Sequence, residues 1–395
     1  INQGNPYVKV ANLTNAKYMR EWLVKPPIYP MKKTLFLVCL LVSICLINVS
    51  CKPRQSTFAK PPASIPTGKP TFQNPILDQD FPDPTAIMGG DGWYYAYATQ
   101  SISKGDTFNI QLARSKDLVQ WEYLGDAMPQ KPAWASHTQK FWAPHVLHDS
   151  ITKKYYMYFS GRPNGKDGLC LGVAVAHAPQ GPFIAEKEPF QCGEGFVNID
   201  PVAFDDPKSG KHLLYWGSGF KPIKVQELSA DRLHFAPGSS PKDVVSPGKD
   251  KDYSILIEGG WVSYRNGKYY LFYSGDNCCG DKAHYAVMVA RADDPFGPFE
   301  RLGEANGTGN SVILEQKTHW RAPGHNSIVT DRAGNDWIVY HAIAPKNPTL
   351  GGDSIKGDRH DRRIMLMDPI VYKNDWPEVA GGEPSIGAIS RPVVK

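Results

Sequence analysis

The chain has 395 residues, of which 41% are hydrophobic and 21% charged, a composition that is ordinary for a globular protein and excludes an intrinsically disordered one. The formal net charge is +5, from 44 Lys or Arg and 39 Asp or Glu. Residues 1–60 hold nine of the bases and a single acid, which leaves 35 bases and 38 acids for the remainder. Because the body is slightly acidic, we predict no nucleic-acid partner.

An export signal is predicted over residues 31–51. Met31-Lys32-Lys33 precedes an apolar run of 13 residues at 35–47, and Cys51 follows three small or polar residues. The run is short for a membrane crossing, which needs about 20 residues, so a transmembrane helix is not expected. Cys51 resembles the acylated cysteine of bacterial lipoproteins. Since Asn48 stands where a leucine is usual, simple secretion is the alternative.

The segments on either side of this signal carry no fold prediction. Residues 1–30 have neither signal character nor a strand pattern, and we assign them to an extended reading frame with Met31 as the true start. Residues 52–70 are rich in Pro, Ser and Lys, which is typical of a tether. The catalytic domain is expected at 71–395, and the protein is expected in the periplasm or on the outer membrane of a Gram-negative bacterium.

Four cysteines follow the signal. In an oxidising compartment Cys170 and Cys192 are a candidate disulfide. The adjacent Cys278 and Cys279 are either a vicinal bridge or two thiols on opposite faces of a strand. The sequence has no Cys-x-x-Cys and no Cys/His spacing typical of zinc sites.

One aromatic strand pattern recurs five times. A turn rich in Gly, Asn, Asp or Lys leads into a short β-prone run at 91–97, 153–159, 211–216, 267–273 and 334–340. Successive copies are 56 to 68 residues apart, which fits four strands with their turns. No amphipathic helical pattern separates them, so a parallel α/β sheet is not expected. We predict an all-β fold, a five-bladed β-propeller of four-stranded antiparallel blades.

Polar residues recur 11 to 13 positions before each aromatic strand. They are Asp83, the segment from Trp142 to His145, Asp200, Glu258 and His325. In a propeller this phase belongs to the innermost strand, so these side chains are expected to converge near the axis. A single Asp-Pro is most often a plain turn. That interpretation does not explain three acids at matched phases, which are costly to bury unless function retains them.

Carboxylates from different blades suit the hydrolysis of a glycosidic bond. One carboxylic acid protonates the leaving oxygen, and a carboxylate on the other face of the sugar activates water in the inverting reaction. A third acid nearby would raise the pKa of the proton donor by like-charge repulsion.

The chain resembles glycoside hydrolase family 43 over about residues 72–392. The resemblance rests on the order and phase of five motifs: Asn74 to Pro84, Phe141 to Val146, Asn198 to Pro201, Ile257 to Val262, and Gly324 to Ser327. It implies a five-bladed propeller and an inverting mechanism. Carried over by position, Asp83 is the general base, Glu258 is the general acid, and Asp200 tunes and orients the acid.

The resemblance also suggests binding residues. His325 is the candidate for an axial cation, commonly calcium in the family, and a hydrogen-bonded core histidine is the alternative. The chemistry itself requires no cofactor. Trp142, His145 and Trp261 are assigned to substrate binding, since aromatic rings stack on sugars. Arg363 matches a late arginine that contacts the sugar in some members, although Arg362 leaves the register open.

The leading functional prediction is a monomeric enzyme that releases terminal α-L-arabinofuranosyl or related pentosyl residues from plant cell-wall polysaccharide. The alternatives are a β-xylosidase or endo-arabinanase of the same family, or a silent glycan-binding surface lipoprotein. Residues 368–385 resemble the closing strand of the fold. The β-sandwich that many xylan-active relatives append does not follow them, which favours an arabinose-releasing member.

Overall fold

The computed structural model describes residues 70–103, 106–217, 219–248, 253–350 and 361–394. The upstream extension, the export signal with Cys51 and nearly all of the tether therefore lie outside the described residues. Within the described ranges, no helix combines the length and the apolar character needed to cross a membrane.

Five antiparallel sheets of four main strands follow one another along the chain, and the predicted five-bladed propeller is confirmed. A short strand, β1 (Thr71–Phe72), precedes the blades. Blade 1 contains β2 (Thr85–Met88), β3 (Tyr94–Ala98), the hairpin β4 (Ser101–Ser103) and β5 (Asp106–Phe108), β6 (Gln111–Ser115) and β7 (Trp121–Asp126). Blade 2 contains β8 (Phe141–His148), β9 (Tyr155–Gly161), β10 (Leu169–Ala176), β11 (Ile184–Ala185) and β12 (Gln191–Gly193).

Blade 3 contains β13 (Val202–Asp205), β14 (His212–Trp216), β15 (Ile223–Glu227) and β16 (Lys242–Val245). Blade 4 contains β17 (Ile257–Arg265), β18 (Lys268–Asn277), β19 (His284–Ala292), β20 (Glu300–Arg301) and β21 (Val312–Glu315). Blade 5 contains β22 (Arg321–Thr330), β23 (Asp336–Ile343), β24 (Arg363–Lys373) and β25 (Trp376–Val379), and β26 (Ile389–Ser390) follows. The described helices are one four-residue helix, α1 (Leu302–Ala305), and 3-10 turns at Ala133–Ala135 and Ala380–Gly382.

The five aromatic segments form the second strand of each blade, namely β3, β9, β14, β18 and β23. These strands are buried on both faces because neighbouring blades cover them. Four tyrosine hydroxyls each donate to a backbone carbonyl of the following blade: Tyr97 to Pro179 at 2.6 Å, Tyr158 to Arg232 at 2.8 Å, Tyr215 to Pro295 at 2.6 Å and Tyr270 to Asp375 at 2.8 Å. Tyrosine suits this place, since its ring fills the space between sheets and its hydroxyl finds a buried acceptor.

The ends of the propeller chain join at blade 5. The strand β1 pairs with β26, and the Ile76 amide donates to the Met365 carbonyl at 3.0 Å. Much of the segment predicted to close the fold instead belongs to β24 and β25, the outer strands of blade 5. These two strands complete the four-stranded sheet of blade 5, and the strand that pairs with β1 is the shorter β26.

Both cysteine pairs form disulfides. Cys170 and Cys192 face each other in register across β10 and β12, which confirms the predicted bridge. Of the two alternatives for Cys278 and Cys279, the vicinal bridge is the one observed, in the loop that follows β18.

Candidate active site

The axial positions share an unusual backbone conformation. One residue at this phase of every blade has a positive φ: Asp83 (56°), Ala143 (47°), Asp200 (55°), Gly259 (59°) and His325 (48°). Four of the five are not glycine, so the left-handed conformation carries a steric cost. The ladders of blades 2, 4 and 5 shift register around these residues. Bulges of this kind re-aim side chains next to functional sites.

Hydrogen bonds between blades hold this backbone in place. In four blades the amide of the positive-φ residue donates to a side chain from the preceding blade: Asp83 to His341 Nδ1 at 3.1 Å, Ala143 to Thr99 Oγ1 at 2.8 Å, Asp200 to Ser160 Oγ at 3.0 Å and His325 to Ser274 Oγ at 2.8 Å. Each bond satisfies a backbone donor in the buried interior. The five inner strands are therefore locked to one another at the level of the predicted acids.

The fifth interblade bond uses one of the acids. The Gly259 amide donates to Asp200 Oδ2 at 2.9 Å. The residue of blade 3 that corresponds to Thr99 of blade 1 is Gly217. The Thr99 amide donates to the carbonyl directly before Asp83, and the Gly217 amide donates in the same way to the carbonyl directly before Asp200. Since glycine has no side chain to accept a bond, the Asp200 carboxylate takes that place. Asp200 thereby positions the backbone directly after Glu258.

Asp83 is buried beside a guanidinium, a hydroxyl and two histidine rings. Arg363 Nη1 lies 3.0 Å from Asp83 Oδ1, and the Thr99 hydroxyl donates to Oδ2 at 2.6 Å. His341 Nδ1 and His325 Nδ1 lie 3.2 and 3.4 Å from Oδ1. Burial by itself would raise the pKa of Asp83, but the adjacent Arg363 guanidinium outweighs it and holds that pKa well below its usual range.

Arg363 is the main source of this effect. Burial lowers the pKa of His325 and lowers that of His341 to about 4, so both rings are neutral near pH 7. A neutral ring carries no charge, and His341 Nδ1 accepts the Asp83 amide rather than donating to its carboxylate. Asp83 is therefore ionised, held mainly by the guanidinium.

Removing this guanidinium should change the pH dependence of activity. Because Asp83 must be ionised to act as a base, activity falls as the pH drops through its pKa. We expect Arg363→Met to raise that pKa and to move the acidic limb of the kcat/KM profile to higher pH, by about one unit or more. The matched control is Arg362→Met, which removes a neighbouring arginine paired with Asp78 at the surface. An acidic limb that stays in place in Arg363→Met would contradict this account of Asp83.

Asp200 behaves in the opposite way. Burial raises the pKa of Asp200 well above its usual range, and the nearby carboxyls of Glu258 and Asp83 raise it further. Of these two carboxyls, Glu258 contributes more to the repulsion. The site thus combines an ionised carboxylate, Asp83, with a carboxyl, Asp200, whose pKa is raised.

Glu258 is held by a residue that the sequence interpretation missed. The Tyr285 hydroxyl donates to Glu258 Oε1 at 2.8 Å. Two other contacts of the acids, Thr99 and His341, were missed as well. Thr99 could have been recognised from the repeat. It stands five positions after Tyr94, and a residue with a hydroxyl group stands at the same distance after the corresponding tyrosine in blades 2 and 4. Tyr285 could not, because it looks like any other aromatic strand residue.

Two of the predicted sugar-binding residues lie at the level of the acids. Arg363 contacts Asp83, whereas Arg362 contacts Asp78, so Arg363 is the arginine that lies at the acids, and its contact with the sugar stays a prediction. Trp142 is half-buried and pairs in the ladder with Ser160, the residue that accepts the Asp200 amide. Its ring stacks on Phe196 with centroids 6.1 Å apart and planes at 4°. Phe196 is 56% exposed, so the stacked pair presents an aromatic surface to solvent.

The other two, His145 and Trp261, lie elsewhere. They line a cavity of about 320 Å³ whose walls come from residues two to five positions beyond the axial residue of each blade. The three acids are not among its lining residues. Both rings are buried and contact each other with centroids 5.2 Å apart, and His145 Nδ1 accepts the Ala203 amide. The expectation that His145 shares the carboxylate cavity is thus not met, because the strand carries it further along the axis.

His325 occupies the axial position expected of it. Its ring packs on Gly259, where a Cβ would lie 3.1 Å from Nδ1. Calcium takes six to eight oxygen ligands, whereas His325 offers nitrogen and the neighbouring Asp83 carboxylate is engaged by Arg363. Among the described residues no group of three or more His, Cys, Asp or Glu is arranged to hold a metal. These side chains do not fit a directly bound calcium ion, and a water-mediated contact stays a prediction.

A comparison with protein families gives a match over most of the propeller. A family model described as "Glycosyl hydrolases family 43" matches residues 72–377. The chain belongs to glycoside hydrolase family 43. As a family 43 member the protein is a glycosidase, and enzymes of this family act without a cofactor.

Individual relatives differ in activity. The chain is 27% identical to a xylan 1,3-β-xylosidase from Vibrio sp., over 82% of this chain and 60% of that enzyme. It is 24% identical to a probable arabinan endo-1,5-α-L-arabinosidase A from Aspergillus flavus, over 75% of this chain and 90% of that enzyme. Among solved structures, a thermostable family 43 glycoside hydrolase matches with a TM-score of 0.65 and 26% identity, over 82% of this chain and 99% of that one. The chain thus spans less than two thirds of the Vibrio enzyme.

Proposed function

We propose that this family 43 glycosidase releases terminal α-L-arabinofuranosyl or related pentosyl residues from plant cell-wall polysaccharide with inversion of configuration. Asp83 is the general base, Glu258 is the general acid, and Asp200 orients the acid. The observation that carries the proposal is that the surroundings shift the pKa values of two neighbouring acids, Asp83 and Asp200, in opposite directions. Arg363 keeps Asp83 ionised, while burial and the nearby carboxyls of Glu258 and Asp83 raise the pKa of Asp200. This difference supports Asp83 as the base and Glu258, which lies beside Asp200, as the acid.

The proposed step balances without any other reactant. Asp83 removes a proton from water as the water oxygen attacks the anomeric carbon. Glu258 gives its proton to the glycosidic oxygen as the bond between that oxygen and the anomeric carbon breaks. The products are a free sugar of inverted configuration and a shortened glycan. Exchange of protons with solvent then restores both carboxyls.

The substrate assignment is supported by the relatives and by the aromatic surface of Trp142 and Phe196. One relative is a xylosidase and the other is an arabinosidase that acts on arabinan, and pentosyl linkages are common to both. A flat pair of rings beside the acids suits stacking on the apolar face of a sugar. The xylosidase relative makes β-xylosidase the second candidate.

Two assays test this function. Nitrophenyl α-L-arabinofuranoside and nitrophenyl β-D-xyloside rank the two pentosyl activities, and polymeric arabinan tests for internal cleavage. Proton NMR of the first-formed anomer is expected to show inversion. Retention of configuration would contradict the assignment of Asp83 as base. Binding of glycans without turnover of any of these substrates would favour the silent glycan-binding alternative.

We further propose that the protein works outside the cytoplasm. Two disulfides within the propeller support this location, because such bonds persist in oxidising compartments. Mass spectrometry of the protein purified from its native membrane fraction tests the lipid anchor. A diacylglycerol adduct on Cys51 is expected, and an unmodified chain starting near that residue would favour simple secretion.

A further inference from the structure

Tyr285 is a buried phenol in direct contact with the proposed acid. It is the second residue of β19, is 1% exposed, and donates its hydroxyl proton to Glu258 Oε1 at 2.8 Å. Burial and the three nearby carboxyls raise the pKa of Tyr285 well above its usual range. The phenol therefore remains a donor at every pH at which the enzyme can work.

The ring of Tyr285 is held in one position by its neighbours. At Gly324 an added Cβ would lie 2.1 Å from Tyr285 Cδ1, so only glycine leaves room for the ring. Ala322 and Ile343 pack around the ring in a small buried cluster. With the ring fixed on these sides, the hydroxyl has a fixed position, and it in turn fixes Oε1 of Glu258.

Tyr285 also links the two catalytic carboxyls. Its ring stacks on His341 with centroids 5.9 Å apart and planes at 10°. His341 Nδ1 lies 3.2 Å from Asp83 Oδ1 and accepts the Asp83 amide at 3.1 Å. One member of the stacked pair thus contacts the acid and the other contacts the base, so their packing sets the relative position of both carboxyls.

We infer that Tyr285 is a positioning residue for the general acid, an inference that rests on the proposed function. Its hydroxyl occupies Oε1, so that Oε2 carries the proton that moves to the glycosidic oxygen. As that proton leaves, Glu258 becomes a carboxylate, and a hydrogen bond to a carboxylate is stronger than one to a neutral acid. The bond therefore strengthens in the transition state, where it accelerates the reaction. Tyr285 keeps its own proton throughout.

The test compares substrates that differ in their need for an acid. In Tyr285→Phe, kcat/KM for a pentosyl oligosaccharide is expected to fall about 10- to 100-fold, the effect of losing a hydrogen bond to a charged group. The nitrophenyl glycoside, whose leaving group departs as a stable anion, should lose far less. Because the carboxylate loses a donor, the pKa of the acid rises, and the basic limb of the pH profile should move to higher pH.

A matched control separates positioning from packing. Tyr340→Phe removes another buried tyrosine hydroxyl that donates to a carboxyl, that of Asp368 at 2.6 Å, away from the acids. It should show no difference between the two substrates and no shift of the basic limb. Equal losses on both substrates in Tyr285→Phe, with the basic limb unmoved, would show that Tyr285 has only a structural role.

A second measurement covers a variant that fails to fold. Replacing Tyr285 by 3-fluorotyrosine keeps the ring nearly unchanged and makes its hydroxyl a stronger donor. The basic limb should then move to lower pH, and a shift in the other direction or no shift would overturn the inference. Wild-type protein that cleaves no glycoside would overturn the proposed function as well, whereas active wild-type protein with no such shifts would overturn the role of Tyr285 alone.

Discussion

Glu258→Gln is expected to reduce kcat/KM for oligosaccharides by about 10²- to 10⁴-fold, the usual effect of losing a general acid. Glutamine keeps the shape of the side chain and can still accept the Tyr285 hydroxyl, so the fold should be preserved. It has no proton to give to the glycosidic oxygen. The loss should therefore be much smaller for a nitrophenyl glycoside, whose leaving group needs little protonation. Steady-state kinetics on both substrates measures the difference.

The control for this variant is Glu315→Gln. Glu315 is another glutamate of blade 4, and it accepts a tyrosine hydroxyl, that of Tyr253 at 3.3 Å. It should retain wild-type kinetics and a similar melting temperature. Full activity of Glu258→Gln on oligosaccharides would remove Glu258 from the role of acid.

Asp83→Asn is expected to reduce kcat/KM by a similar factor, about 10²- to 10⁴-fold, but equally for both kinds of substrate. Water must be activated whatever the leaving group is, so a good leaving group cannot compensate for the loss of the base. The variant also removes the anion that faces Arg363 in a buried place, and some loss of thermal stability should accompany the kinetic effect.

Asp368→Asn provides the comparison for this second variant. Asp368 is fully buried in blade 5 and accepts the Tyr340 hydroxyl, yet it lies outside the proposed machinery. Its substitution should change stability more than turnover. If the loss in Asp83→Asn were large for oligosaccharides and small for nitrophenyl glycosides, the roles of Asp83 and Glu258 would have to be exchanged.

The sequence by itself determined the architecture. Five aromatic strands at spacings of 56 to 68 residues require five similar sheets, because each buried aromatic face needs a neighbouring sheet to cover it. The phase of Asp83, Asp200 and Glu258 relative to those strands was enough to bring the acids to one axis. Residues at the same position of each repeat lie at the same position on the inner strand of each blade. Because the blades are arranged around one axis, these residues come close together.

Only the tertiary structure decided the ionisation and the partners of each acid. Arg363 lies 280 residues after Asp83 in the chain, and Tyr285 meets Glu258 from a different strand of its blade. Neither contact can be predicted from the spacing of the repeats. The contact of Arg363 depends on how the last blade packs against the first, and the contact of Tyr285 depends on the space that Gly324 leaves for its ring. His145 shows the same limit, because it packs against Trp261 in a cavity that the three acids do not line. Phase places a residue near the axis, but packing and charge from distant segments determine its ionisation and its partner.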